Sequence, residues 1–424
     1  MTDGLTEGQD DETTALVVPP QAPEAPQAHA ESPEAWGADG RPKVMLLGSG
    51  ELSRELAVAL RHLGARVIAV DEHPHAPAHG VADEALVFPM TDADELSKAI
   101  QRLKPEFVVT VTDAVAVDAL EALGAGPDNK RTDVVPNART VRLTADREGL
   151  RRLAADQLGL PTAPFWFVGS VGELHAVAAH AGYPLLVKPV SGRGHSVVSG
   201  PDDIEPAWQR AGGSSAGRVM AETVVEVDFD LTLLAVRSEG PNGPLIEFCS
   251  PIGHRDADGA VLESWQPQQL SAAAVDAAKS IAARMVKALG GRGVFGVELM
   301  IKGDEVYFAD VTARPHQSVW VTLRSQRLSA FELQARAILG LPVDTMMMSP
   351  AAALAINPRG DGNSPTADAL TGALRVPESD LRVFGRRLQS AELGVALATA
   401  PDVATARDRA RQVANALNMR DSRG

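Results

Sequence analysis

Cysteine is almost missing from this 424-residue chain. The single residue, Cys249, excludes an internal disulfide and a cysteine-built metal cluster. Such usage fits a reducing compartment, and a cytoplasmic location is the expectation. No apolar run is long enough to cross a bilayer, so no membrane partner is expected. The acidic N-terminal stretch has no apolar core of the kind an export signal needs. Basic charge is in deficit: a formal net charge of -15 argues against nucleic acid as the main partner. A local basic pocket for phosphate groups stays open. No repeat period is visible, which argues against solenoid and propeller architectures.

What is present is ordinary for a globular protein: 45% hydrophobic and 22% charged residues, with length enough for two to four domains. Residues 1–42 stand apart. They are rich in Pro, Ala, Glu and Gln, carry nine acids against one base (Arg41), and read as a disordered acidic tail without chemistry. From Lys43 the pattern becomes β-α-β: a buried strand over 44–47, a Gly48-Ser49-Gly50 turn, a helix over 51–63, and a strand over 65–70 that ends at Asp71. The turn carries a partial dinucleotide fingerprint, with Asp71 at about the expected offset of roughly 20 residues and Ser53 where a third glycine belongs. Three readings fit it: a nucleotide turn, a turn that needs only glycine dihedrals, or a helix N-terminus facing an anion. Helix 93–103, strand 107–111, helix 115–123 and strand 133–135 continue the alternation, so residues 43–137 form a parallel α/β domain. His73, His75 and His79 lie in a Pro-rich loop with nothing to pre-arrange them, and read as solvated rather than metal-binding.

The most informative stretch is 293–316, GVFGVELMIKGDEVYFADVTARPH. It reads as two strands, 294–301 and 305–311, joined by a Gly303-Asp304 turn. Each strand holds one acid in an apolar run, Glu298 and Asp310. Two carboxylates on paired buried strands suggest a cation between them, and few oxygen ligands suit Mg²⁺ completed by phosphates and water. Arg314 and His316 follow at once. The bland alternative is two edge acids facing solvent.

Upstream, the apolar strand 185–190 is interrupted by Lys188, whose ammonium needs an anionic partner or a route to water. Ser191, Gly192, Arg193, Gly194, His195 and Ser196 follow as a small basic loop. A strand lysine with such a loop is a phosphate clamp or a surface hairpin. Residues 220–225 look like a buried strand entering a hinge. In a nucleotide site, Glu222, Thr223, Val224 and Val225 offer backbone groups to an adenine edge, and an acid such as Asp230 offers itself to ribose hydroxyls. A helix over 144–156, with Thr144 as N-cap, carries Arg147, Arg151 and Arg152, a residue type found mostly at surfaces. Residues 251–254 and 263–269 read as a polar loop, 271–289 as a helix, and 349–424 as a smaller module of strands and two helices.

Lys188 with its loop, Glu222, Glu298 and Asp310 occur in the order of an ATP-grasp enzyme. The segments VMLLGSGEL, TADREGLRRLAADQLGLPT, ESWQPQQ, FGVEL, ARPH and LGVALATA resemble those of the formate-dependent phosphoribosylglycinamide formyltransferases, over residues 43–417. The resemblance implies an α/β chain: an N-terminal parallel (pre-ATP-grasp) domain at 43–137, an ATP-grasp domain at 138–348, and a small C-terminal β-rich module at 349–424. It implies that formate is activated by ATP to formyl phosphate and that the formyl group passes to the glycinamide amine. It also implies ATP and Mg²⁺ as cofactors and a homodimer. Carried over by position, Arg147, Lys188, residues 191–196, Glu222 to Val225 and Asp230 would bind ATP, and Glu298 and Asp310 would bind Mg²⁺. Lys188 and Arg314 would serve the chemistry, and the 191–196 loop would close to keep water from the acyl phosphate. Glu51 and Leu52 would touch the substrate.

The substrate half departs from the family pattern. Val111 stands where the family has a glutamate that helps hold the amine, and Gln317 where it has an aspartate, with Ser318-Val319-Trp320 changed beside it. Ala391-Glu392 stand in place of the arginine pair that binds the substrate phosphate, while Arg386 and Arg387 occur earlier in a shortened loop. The expectation is weak binding of phosphoribosylglycinamide unless Arg386 and Arg387 swing in. Other acceptors, and a degenerate non-catalytic paralogue, are the alternatives.

Overall fold

The first buried run, KVMLL, becomes the middle strand of a parallel sheet. In the computed structural model, which describes Met1 and residues 40–125, 132–190, 194–213, 217–257, 260–356, 365–384 and 393–418, strands β1 (Lys43–Leu47), β2 (Arg66–Asp71), β3 (Glu84–Val87), β4 (Phe107–Thr110) and β5 (Asp133–Val135) are ordered β3-β2-β1-β4-β5. Val44 to Leu47 are fully buried, as a parallel strand covered on both faces must be. Helices α1 (Glu51–His62), α2 (Ala93–Leu103) and α3 (Val117–Ala125) make the crossovers. The β1–α1 turn needs glycine: Gly48 has φ +98°, and a Cβ there would lie 3.0 Å from the Thr112 Cγ2.

The expected helix over 144–156 is present but begins at Arg147 and runs on through a π-helical turn to Gln157, and a separate helix precedes it. Helix α4 (Ala138–Ala145) is capped by Asn137, which accepts from the Thr140 N–H at 2.8 Å. Helix α5 (Arg147–Arg152) is capped by Asp146, which accepts from the Glu148 N–H at 3.1 Å. Thr144 is no cap; its hydroxyl donates back to the Thr140 carbonyl at 3.0 Å from inside α4.

A small antiparallel sheet follows, order β6-β9-β7-β8, from β6 (Phe165–Val168), β7 (Leu185–Pro189), β8 (Ser196–Val198) and β9 (Val219–Thr223). It has its own core, with Val187, Leu174 and Trp208. The large sheet holds β10 (Phe229–Gly240), β11 (Gly243–Phe248), β12 (Ile252–Ala257), β13 (Ala260–Gln266), β14 (Gly293–Lys302), β15 (Glu305–Thr312), β16 (Ala351–Ile356), β17 (Ser379–Val383) and β18 (Gly394–Thr399). The expected polar loop at 251–254 and 263–269 is thus corrected: most of it is strand, β12 and β13. The C-terminal strands extend this same sheet, order β15-β14-β10-β12-β13-β16-β18-β17, through pairs such as Trp265↔Ala352.

The two faces of the large sheet do different work. On β10 and β14, Leu231, Leu233, Phe295, Val297 and Leu299 pack in one core with residues of helix Ala272–Leu289. The alternate residues Leu234, Val236 and Val294 join a second core that contains Val44 of the N-terminal sheet, Leu56 and Leu60 of α1, Trp320 and Phe331, and Phe384 and Val395 from the C-terminal segment. The Trp320 ring lies with its centroid 5.4 Å from Phe331 and 5.4 Å from Phe384. Further along the strands, that second face carries polar residues instead, and the candidate site lies there.

Candidate active site

The hairpin β14–β15 pairs regularly from Lys302↔Glu305 to Leu299↔Phe308, then shifts so that Glu298 pairs with Asp310. Ala309 is the extra residue of a β-bulge. In regular register Asp310 would stand opposite Val297, whose side chain belongs to the hydrophobic core. The bulge therefore brings the two acids directly across from each other on one face. Burial first, and the Asp310 charge second, push the Glu298 carboxyl up to about 7, while His254 and Lys188 pull the other way. Two crowded carboxylates of this kind make a hard-oxygen site that a divalent cation would relieve.

Lys188 on β7 meets the anionic partner its position demands. Its Nζ donates to Glu222 on β9, and Glu222 accepts at its other oxygen from Arg151 Nη2 at 2.6 Å. Glu222 and Arg151 have side chains only 2% and 3% exposed, whereas Lys188 is 22% exposed. Arg151 also donates to the Phe308 carbonyl at 3.3 Å and lies over the Phe165 ring. The surface reading of Arg151 is thereby corrected, while Arg152, 57% exposed and paired with Glu148, fits it.

Asp230 and Thr232 sit on the same face as Glu298, since Thr232 pairs with Glu298 across β10 and β14. On the other side of β10, Leu231 pairs with Gly253, so His254 comes level with Asp230 on this face. His254 Nδ1 lies 2.9 Å from Asp256 Oδ1. Burial raises the Asp230 carboxyl, Asp256 adds to this, and His254 and Lys188 oppose it. The Asp256 carboxyl is held low: burial raises it, but the hydrogen bond and charge of His254, with His316 and His195, prevail. Lys188, Asp230, His254, Asp256, Glu298, Asp310, His195 and His316 therefore form one electrostatic neighbourhood.

The other expected residues are placed as follows. Arg147 donates to the Pro189 carbonyl, which ties α5 to the end of the lysine strand. Thr223 ends β9, and Val224 beyond it is 41% exposed. Gly194 has φ +94°, and Ser196 accepts from Arg210 Nε at 3.0 Å. Ser191, Gly192 and Arg193 lie outside the described residues, as do Arg386, Arg387, Ala391 and Glu392. Arg314, 13% exposed, makes a bidentate pair with Asp113 at 2.6 and 2.7 Å. Asp113 follows β4, two residues beyond Val111, so the arginine reaches the carboxyl end of the parallel strands β1 and β4, where Glu51 and Leu52 open α1. Leu52 and Val111 pack against the shared core, and Gln317 opens the short helix Gln317–Val321. Asp71 does not fit a ribose role, because its carboxylate accepts from the Ser49 N–H at 2.9 Å and the His73 N–H at 3.0 Å. Among the described residues no group of three or more His, Cys, Asp or Glu side chains is arranged to hold a metal. Arg151, Asp113 and the His254–Asp256 pair were missed from the sequence. Only the strict alternation of HRD in β12 hinted at the last.

ESWQPQQ turns out to be a packing motif. Gln266 is fully buried, donates to the Ser250 carbonyl at 2.6 Å and accepts from the Ser325 hydroxyl. Trp265 Nε1 donates to Gln268 at 2.7 Å, leaving room only for glycine at 253. Glu263 is bound by Arg407 at 2.8 and 2.9 Å and by Arg411 at 3.0 Å.

Comparisons with known proteins agree with this architecture. Residues 42–145 match the ribonucleotide synthetase preATP-grasp domain, 153–331 the ATP-grasp domain, and 351–417 the PurT C-terminal domain. The chain is 46% identical over 400 residues to the formate-dependent phosphoribosylglycinamide formyltransferase of Corynebacterium glutamicum strain R, covering 91% of this chain and 97% of that protein. It is 47% identical over 385 residues to the enzyme of the same description from Burkholderia pseudomallei strain 668, covering 88% and 95%. Among solved structures it is similar to glycinamide-RNase-transformylase T from Mycobacterium tuberculosis, with TM-score 0.77, 66% identity, and 89% and 100% of the two chains covered. The N5-carboxyaminoimidazole ribonucleotide synthetase from Thermus thermophilus matches with TM-score 0.77 at 25% identity, covering 89% and 99%. Fold, site geometry and near-complete coverage of such relatives lead to one conclusion: the chain belongs to the formate-dependent phosphoribosylglycinamide formyltransferase family of ATP-grasp enzymes.

Proposed function

We propose that this chain activates formate with ATP and transfers the formyl group to the amine of 5-phosphoribosylglycinamide, a step in purine biosynthesis. The observation that carries the reading is the in-register pair Glu298–Asp310, set on one face by a bulge and sharing its electrostatic neighbourhood with Lys188. Phosphoryl transfer is mostly positioning and charge neutralisation, and these residues supply the parts. Their hard oxygens fit Mg²⁺, which would be held by Glu298 and Asp310 and would neutralise phosphate charge.

In the first step a formate oxygen bonds to the γ-phosphorus as its bond to the β–γ bridging oxygen breaks, releasing ADP. In the second, the amine bonds to the formyl carbon, the carbon–oxygen bond to phosphate breaks, and the amine proton passes to the departing phosphate or to water. Lys188, partly exposed above a buried carboxylate, presents its ammonium to phosphoryl oxygens. Arg314, held in a fixed orientation by Asp113, presents the edge of its guanidinium to the reacting carboxylate. Glu51, Leu52, Val111 and Gln317 lie on the acceptor side, with Arg386 and Arg387 proposed for its phosphate. We extend the reading to a cytoplasmic homodimer. A buried free Cys249 fits a reducing compartment, and the dimer is carried over from the family resemblance.

The test is a coupled assay with formate, ATP and phosphoribosylglycinamide, following ADP and formyl amide separately. Formate-dependent ADP release with stoichiometric formyl amide is expected. ADP release that continues unchanged without formate would overturn the reading.

A further inference from the structure

His254 is built like a ligand-facing group and has no ligand role so far. Its side chain is 6% exposed, and its Nδ1 is tied to Asp256 at 2.9 Å. Its Nε2 is buried and has no hydrogen-bonding partner among the described residues. A buried imidazole nitrogen left bare is costly unless something fills it in the working state. Register places the ring level with Asp230 and one step along from the row of Thr232 and Glu298. The bare nitrogen thus shares a row with the acid proposed for the ribose, across β10 from the strands that carry the acids proposed for the metal, and the charges of Asp230 and Glu298 both act on the ring. On the proposed reading the ligand over this face is a nucleotide, and its anionic acceptors are phosphate oxygens.

We infer that His254 is a nucleotide-positioning residue, whose Nε2–H meets an oxygen of the ATP phosphate chain while Asp256 fixes the ring from behind. The chemistry is consistent within the pair. Asp256 can only accept, so Nδ1 carries a proton, and donation from Nε2 as well requires the imidazolium. Burial disfavours that form, but Asp256, Glu298 and Asp230 outweigh it and raise the imidazole. A phosphate oxygen would favour it further. The alternation of β12 follows from this arrangement. His254 and Asp256 are both needed on the site face, and Gly253 beside His254 leaves space for Trp265.

The inference rests on ATP lying over this face, and the test separates the two. Titration of full-length protein with a non-hydrolysable ATP analogue and Mg²⁺ is compared for wild type, His254→Ala, His254→Gln and Asp256→Asn, with melting temperature measured on each. Loss of one charge-assisted hydrogen bond predicts an affinity about 10-fold weaker or more in His254→Ala. Glutamine, with an amide N–H near the place of Nε2, should recover part of it. Asp256 is 50% exposed, so Asp256→Asn should keep the melting temperature and still weaken the analogue several-fold. KM for ATP should rise in all three while KM for formate holds. An analogue affinity within twofold of wild type in His254→Ala, or in Asp256→Asn if the alanine variant does not fold, overturns the inference. So does a loss that glutamine does nothing to restore and that follows the melting temperature. Wild type that binds no analogue would refute the nucleotide reading itself.

Discussion

Arg151 offers the sharpest perturbation. It and Glu222 are taken almost wholly out of water, and Lys188 is the only member of the trio with an open side. Replacing Arg151 by Met keeps volume and removes the charge. Glu222 then keeps one cation instead of two. Breaking a buried pair costs about 3–5 kcal/mol, because the carboxylate left behind has lost its hydration and half its compensation. For an ATP-grasp core this corresponds to roughly 6–20 °C in melting temperature. The function should suffer separately: Glu222 would draw Lys188 inward, away from phosphate oxygens. The double variant Arg151→Met, Glu222→Gln should recover much of the stability, since the uncompensated charge goes with it. Scanning calorimetry gives the melting temperatures, and titration of an ATP analogue gives the affinity. A single-variant loss below about 1 kcal/mol, with effects that simply add in the double variant, would refute the linked trio.

Three further outcomes are expected. Glu298→Gln should weaken Mg²⁺-dependent ATP-analogue binding about 10-fold or more, with little change when Mg²⁺ is omitted; equal affinities with Mg²⁺ would contradict the acid-pair assignment. Glu263→Gln should destabilise by about 1.5–3 kcal/mol at neutral pH by removing the carboxylate that Arg407 and Arg411 share. Burial raises the Glu263 carboxyl, but the two arginines more than reverse this and leave it low. That stability is therefore present above the ordinary carboxylate range and is lost as pH falls through the lowered value, so wild type and variant should converge in acid; a pH-independent gap would count against it. Trp320→Ala should cost about 3–5 kcal/mol and lower a single calorimetric transition rather than split one from it.

The sequence carried the local part of this structure well and the non-local part poorly. Helix α2 and strand β5 fall where periodicity puts them, and the 293–312 hairpin differs by a residue at each end, because apolar period and turn glycines act within a few residues. Glu298 and Asp310 were legible as acids in apolar runs. The bulge at Ala309 that turns them to one face was not, since one inserted residue leaves no trace in composition. Arg151 was misread because its partner, Glu222, lies 71 residues away, and spacing cannot report that. Strand β12 looked like loop because its residues facing the site are charged, which is the cost of reading polarity as exposure. Thr144 was mistaken for a cap because threonine bonds backbone on either side of a helix start.

The shared core has a consequence for how the chain is made. Val44 and Leu56 near its beginning wait for Phe331, Trp320, Phe384 and Val395, and the open edge of β13 waits for β16. At about 5–20 residues per second, synthesis leaves those surfaces uncovered for many seconds after the parallel sheet has emerged. Cutting the gene at 137 or 348 would freeze that exposed state permanently. Such fragments should be found in the insoluble fraction or bound to chaperones, whereas the full-length chain closes on itself only once its last strands arrive.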